Sequence, residues 1–344
     1  MSKALTIAED LEGVVKYKPY KGTFGIEIET ESLDSYHEPI CLNWKVKEDH
    51  SLRNFGREYI LNKPCTFEGV DKVLKEFDTV TKEAGIKFIE DRMSTSVHVH
   101  VNMQNETFLT LGNFVVIFTF FEDILIDFCG DKRRSNMFCL TTRYAEGIYR
   151  RLQKFFEGLD TGSYNPVLQL NEDTAKYSAL NIVPLKTLGS VEIRTMRGIT
   201  DIDKIKQWIG IINSMLQASK MPGLTPRIVL DYFQKEPGMF FDLVFGEYAD
   251  LLRKPDLFQR PEKSLWYVGS IGSEIDWFKL PGKDRAKAEE VIQKQKEQEA
   301  EHLKMMAAKM KPGGVAPNNV FVQNPDWFNV NNAVPQEIQE VGEF

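Results

Sequence analysis

Cysteine is scarce in this 344-residue chain: Cys41, Cys65, Cys129 and Cys139 are scattered and form no CxxC pair. That spacing excludes a zinc ribbon and a disulfide scaffold, and reads as free thiols in a reducing cytoplasm. A basic excess is missing too. With 50 acidic against 43 basic side chains and a net charge of −7, there is no overall positive field to meet a phosphate backbone, so a dedicated nucleic-acid binder is not expected. No apolar run reaches the roughly 20 residues of a membrane span. The nearest, FVVIFTFFEDILIDF at 114–128, is interrupted by Glu122, Asp123 and Asp127 and reads as a buried helix. The opening MSKALTIAEDLEGVV lacks an apolar core and carries acids early, so no secretory leader is expected. The patterns GxxxxGK[ST], GxGxxG and HExxH are all absent, which leaves any nucleotide to be held by metals and basic side chains.

What is there is an ordinary globular composition, 42% hydrophobic and 27% charged, at a length that suggests roughly two domains. Residues 1–21 read as a lead-in. Residues 22–280 read as one catalytic-type domain: to about 220 short β-like runs alternate with amphipathic segments, and from there shorter helices and aromatic-rich loops follow. FGIEIET (24–30), REYILN (57–62), KFIE (87–90), SVHVHVNM (96–103), YSALNIVPL (177–185) and SVEIRTMR (190–197) read as strands, most of them alternating with period two. Helical spacing marks 67–84, 107–129, 139–158 and 201–219, with Gly85 stopping the first. There is no strict βαβ repeat. An α+β fold is expected, with an antiparallel or mixed sheet and its helices gathered on one side. Residues 281–311 read as a charge-dense solvated helix and 312–344 as an Asn-rich tail or docking arm.

Side chains two apart on a strand share a face. In FGIEIET, Ile26 and Ile28 point one way and Glu27 and Glu29 the other. Two carboxylates about 7 Å apart repel by about 2 kcal/mol at an effective dielectric near 20, and no nearby Lys or Arg at that spacing offsets this. In SVHVHVNM, Val97, Val99 and Val101 form one face and His98, His100 and Asn102 the other. In SVEIRTMR, Glu192, Arg194 and Met196 oppose Val191, Ile193 and Thr195, with Arg197 just beyond. Asp49 and Ser51 precede a Gly-containing turn, and Glu58 follows on the next strand. Taken singly, each segment is equally a solvated edge strand, an exposed polar face, a surface ion pair or a plain hairpin. Jointly they stack acids, imidazoles and arginines on one surface. Several carboxylates together need cations, and hard oxygen ligands point to Mg²⁺ or Mn²⁺.

The series F-G-I-E-I-E-T, D-H-S-L with G-R-E, S-V-H-V-H-V-N, K-Y-S-A-L-N and S-V-E-I-R-T-M-R-G resembles the amidoligase family of bacteria and phages. Its members are carboxylate–amine ligases related to glutamate–cysteine ligase and glutamine synthetase. The resemblance covers about 22–220. It implies a glutamine-synthetase-like curved antiparallel sheet backed by helices, and an ATP- and Mg²⁺-dependent enzyme that forms an amide through an acyl phosphate. It places Glu27, Glu29, Asp49, Glu58, His98 and Glu192 at metal positions. His100 and Asn102 would face the nucleotide, and Arg194 and Arg197 the transferring phosphoryl group. Arg143 would meet a substrate carboxylate, and Asn181 would shape the site. His50 stands where the family prefers Gly, and Lys176 where Arg is frequent. The implied partners are a small-molecule or peptide carboxylate and an amine, in the cytoplasm (the host's, if phage-encoded), with no nucleic acid and no membrane. The tail suggests a protein partner or self-association. Competing readings are an assembly protein that keeps the fold without turnover, a metal-dependent hydrolase that needs no ATP, and a guanidine phosphotransferase.

Overall fold

In this computed structural model the described residues are 5–90, 92–134, 136–141, 167, 170 and 177–253. They lie in the compact unit Met1–Phe278. Arg143, most of the helix expected at 139–158, and the segments 281–311 and 312–344 fall outside them.

Six strands form one antiparallel sheet: β1 (Phe24–Thr30), β2 (Trp44–Glu48), β3 (Arg57–Leu61), β4 (Ser96–Asn102), β5 (Leu180–Asn181) and β6 (Ser190–Arg197). Their spatial order is β2-β3-β1-β4-β6-β5. The described helices are α1 (Ile7–Asp10), α2 (Val70–Glu83), α3 (Phe108–Cys129), α4 (Ile202–Ser219), α5 (Pro226–Lys235), α6 (Pro237–Phe245) and α7 (Ala249–Leu252). The fold is therefore α+β around an open antiparallel sheet.

The alternation in the strands decides which face meets the helices. Phe24, Ile26 and Ile28 of β1 and Val97, Val99 and Val101 of β4 are buried in one core with Val115, Ile117 and Phe118 of α3 and Ile205, Ile209 and Ile212 of α4. Each such side chain contributes about 1.5–3 kcal/mol on burial. α3 is apolar all round and long enough to cross a membrane by length and composition, but 83% of its most apolar window is buried inside the protein, as for a core helix. The amide nitrogen of its polar Asn113 donates to the carbonyls of Ser219 and Leu224 where α4 ends. The helix starts are set locally. Thr107 accepts from Thr110 N, and Asp201 accepts from Asp203 N and Lys204 N. On the far side, Trp44 of β2 donates from its indole to the Val73 carbonyl of α2, beside Phe77 and Tyr59.

Several expectations change. The lead-in docks, since Ile7 and Leu11 are fully buried and the Tyr17 hydroxyl donates to the Leu185 carbonyl. KFIE forms a single bridge, Phe88 to Ser32, rather than a strand. YSALNIVPL contributes only Leu180–Asn181 before Pro184 sits in a turn of 3-10 helix; proline cannot donate to a ladder. Leu140, expected in a helix, bridges to Ser178. In β6, Val97 pairs with Met196 but Val99 with Ile193, so Arg194 and Thr195 together oppose His98. This bulge returns Met196 to the core face, where it is fully buried, instead of the polar face that strict alternation gives it.

Val99→Asp places a charge in this core and should remove at least ~3 kcal/mol of stability. The urea midpoint measures it, and an unchanged midpoint would mean that Val99 does not face the core.

Candidate functional site

The face opposite the core carries the acids and imidazoles, because β1, β4 and β6 are neighbours and each contributes every second residue. Glu27 pairs with His98 across β1–β4, His100 with Glu192 across β4–β6, and Glu29 with Glu58 across β1–β3. Opposite His100 stands Gly25, where even a Cβ would lie 3.2 Å from that of His100. The absent side chain leaves the floor of the site clear.

Ligand atoms of Glu27, His100 and Glu192 all lie within 4.8 Å of one another. His100 Nε2 is 3.3 Å from Glu27 Oε1, and its Nδ1 is 3.2 Å from the Ser190 hydroxyl. Glu192 is held from two sides. Asn181 donates to its Oε2 at 2.7 Å, and Arg194 Nη1 lies 2.5 Å from its Oε1. His98 is almost completely buried between the acids, with Nδ1 3.4 Å from Glu27 and 3.2 Å from Glu192. Its Nε2 meets the Ser96 hydroxyl at 2.6 Å, and that hydroxyl also reaches Glu29 Oε2 at 2.5 Å. The resemblance puts His98 among the metal ligands and His100 toward the nucleotide. In the structure it is His100 that joins the converging trio, while His98 is engaged at both nitrogens.

Burial alone would raise the Glu27 carboxyl, but hydrogen bonds and charge from His100 and His98 outweigh it and hold the group well below the usual carboxylate range. Glu192 is lowered in the same way: burial opposes, while His98, Arg194 and His100 prevail. For His100, burial disfavours the proton, yet Glu27 and then Glu192 raise its affinity, with Arg194 opposing. Glu58 has no such imidazole bound to it. Burial and the charges of Glu27 and Glu29 push its carboxyl up to about 7, with only partial relief from Lys47 and His98. The site thus holds more negative charge than its own cations balance.

The remaining expected residues stand apart. Asp49 lies in the β2–β3 loop, where its carboxylate accepts from the Ser51 amide and hydroxyl, and His50 between them is exposed. Asn102 is buried and braces the chain, donating to the Gly22 carbonyl and accepting from Gln104 N. Arg197 donates to the Cys129 carbonyl at the end of α3. Its guanidinium passes over Gly130 (φ 112°), where a Cβ would sit 2.8 Å from Nη1.

Two residues of the site escape the sequence reading although their spacing shows them. Ser96 is two before His98 and shares its face. Glu31 extends the Glu27, Glu29 series and is almost completely buried. Its carboxylate accepts from Arg53 N, the Asn54 amide and the Ser94 hydroxyl, which fixes the β2–β3 loop against the start of β4.

Residues 23–216, more than half of the chain, match the family described as Putative amidoligase enzyme. The chain belongs to this amidoligase family. Amide-forming ligation is accordingly its class of chemistry, and nucleotide and metal use are general features of such ligases. Curated proteins offer no match to the chain. The match spans β1 through most of α4, so all the clustered residues of this amidoligase lie inside it.

An acid with a raised folded-state pKa binds its proton more tightly when folded, so stability falls as pH climbs from the unfolded value of 4.5 toward about 7. Glu58→Gln removes that slope. In cation-free buffer the variant should gain roughly 1 kcal/mol over the wild type at pH 8, after screening of this part-exposed group, and nothing at pH 4. Denaturant titrations at the two pH values check this; parallel curves would refute it.

Proposed function

We propose that this amidoligase is an ATP-dependent carboxylate–amine ligase using Mg²⁺, or Mn²⁺ in its place, and that its sheet is the platform of a glutamine-synthetase-like fold. The observation that carries the reading is the convergence of Glu27, His100 and Glu192 beside Arg194. Two carboxylates and one imidazole, with no thiolate, form a donor set that suits Mg²⁺ or Mn²⁺. Glu29 and Glu58, directly opposed on β1 and β3, form a second anionic station, and the raised proton affinity of Glu58 marks charge that a cation would neutralise. Arg194 Nε is buried with no acceptor among the described residues. An unused donor beside a carboxylate cluster fits a guanidinium that meets an anionic substrate group.

When bound, the cations screen the triphosphate and draw charge from its oxygens. The chain's own residues do the positioning: Asn181 and Ser190 fix Glu192 and His100, Ser96 links His98 to Glu29, and Arg194 offers its planar fork to the phosphoryl oxygens. The carboxylate substrate then attacks the terminal phosphorus as ADP leaves. The amine, losing its proton, displaces phosphate from the acyl phosphate and forms the amide. Segments 281–311 and 312–344 are assigned to docking, either with a protein partner or with a second copy.

Binding of a non-hydrolysable ATP analogue, followed calorimetrically, should require Mg²⁺ and weaken more than tenfold in Glu27→Gln. Binding indifferent to both would sink the ligase reading in favour of a hydrolytic or assembly role. With Mn²⁺ alone, affinity should rise by on the order of tenfold from pH 6 to pH 8, because His100 and Glu58 must release protons to take a cation. A flat profile would remove those two from the ligand set.

A further inference from the structure

The bulge in β6 is held from outside the sheet. An extra residue in one strand leaves backbone groups without ladder partners, and burying them unpaired is costly. Here Arg133, in the short 3-10 turn Asp131–Arg133 after α3, supplies the donors. Its Nε donates to the Thr195 carbonyl at 3.0 Å, and its Nη2 to the Arg194 carbonyl at 2.5 Å. These are the two residues that face His98. The arginine is among the largest side chains that are almost fully buried. Burying a guanidinium for two backbone bonds is expensive unless their geometry matters.

We propose that Arg133 is a positioning residue of the cation site, acting through the bulge on Arg194. By satisfying both bulge carbonyls it keeps the extra residue in β6. Alternation from Ile193 already sets Arg194 on the polar face; the grip on its own carbonyl fixes the backbone there, so that the side chain lies against Glu192 with its Nε unpaired among the described residues. Without Arg133, β6 relieves its orphan carbonyls by rearranging, and Arg194 leaves Glu192. The consequence for anion binding rests on the ligase reading, whereas the placement of Arg194 does not.

The test uses the full chain and two readouts. The first is the Arg194 Nε–H resonance, identified by its disappearance in Arg194→Ala. In Arg133→Met it should move to the position of solvent-exposed arginines, and Arg133→Lys, whose ammonium can reach one carbonyl, should restore it in part. The second is the affinity for Mn²⁺ alone. Arg194→Ala removes a competing cation from Glu192 and should tighten binding by about tenfold. Arg133→Met should shift affinity in the same direction, with no further change when the two are combined. If Arg133→Met does not fold, Arg133→Lys carries the test alone, and its resonance should lie between those of the wild type and of solvent-exposed arginines. A resonance that keeps its wild-type position in any folded Arg133 variant overturns the proposal. So does a loss of thermal stability with unchanged Mn²⁺ affinity where Arg194→Ala alters it. A wild-type protein that binds no Mn²⁺ would remove the ligase reading, while the resonance would still decide the role of Arg133.

Discussion

Crowded negative charge on a face that cannot move is the constraint on which the rest of this protein depends. Glu27, Glu29, Glu58 and Glu192 are carried by three strands whose opposite faces are locked into the core with α3 and α4. Backbone pairing fixes their spacing, so the carboxylates cannot separate to relieve their repulsion. The two imidazoles of β4 sit between them and offset part of it. Neighbouring residues support that arrangement: Ser96 and Ser190 hold the rings, Asn181 holds Glu192, and Gly25 leaves the floor empty. A site built this way is preorganised, since the cost of gathering like charges is met by the folding of the sheet rather than by ligand binding.

Period-two alternation made most of this face legible. Three short segments with Val or Ile on one side and Glu, His or Arg on the other needed only to be neighbours, and the order β3-β1-β4-β6 makes them so. Carried one step further, the same rule reaches Ser96 and Glu31, which the sequence reading left out. It failed at Met196, because a bulge adds a residue without any signature in composition. It could not distinguish His98 from His100 either. Their surroundings differ through which groups lie across the neighbouring strands, and that is set by register rather than by local spacing. Asn102 and Asp49 make hydrogen bonds to the backbone of 20–22 and to the turn at Ser51, which spacing alone does not reveal. Such local bonding offers the backbone an alternative to helix or sheet pairing at Asn and Asp residues.

Among the helices, the long periodic segments were readable and the short or proline-containing ones were not. α2 and α4 have apolar stripes and appear within a few residues of their expected bounds. The 177–185 run looked like one strand because it is rich in apolar residues. Pro184 and the Asn181 side chain, which accepts from Val183 N, instead turn the chain after two paired residues. That early turn leaves the Asn181 amide beside Glu192.

The all-round apolar character of α3 reaches beyond the finished structure, into how the protein is made. Synthesis completes Phe108–Cys129 well before Ser190–Arg197 and Ile202–Ser219, the strand and helix that later help to cover it. During that interval the nascent chain carries a helix with the composition of a membrane segment and only part of its eventual shelter. Hydrophobic surface exposed for that long is where off-pathway association begins. Yield on expression should therefore be limited by the wait for α4 more than by the stability of the completed sheet.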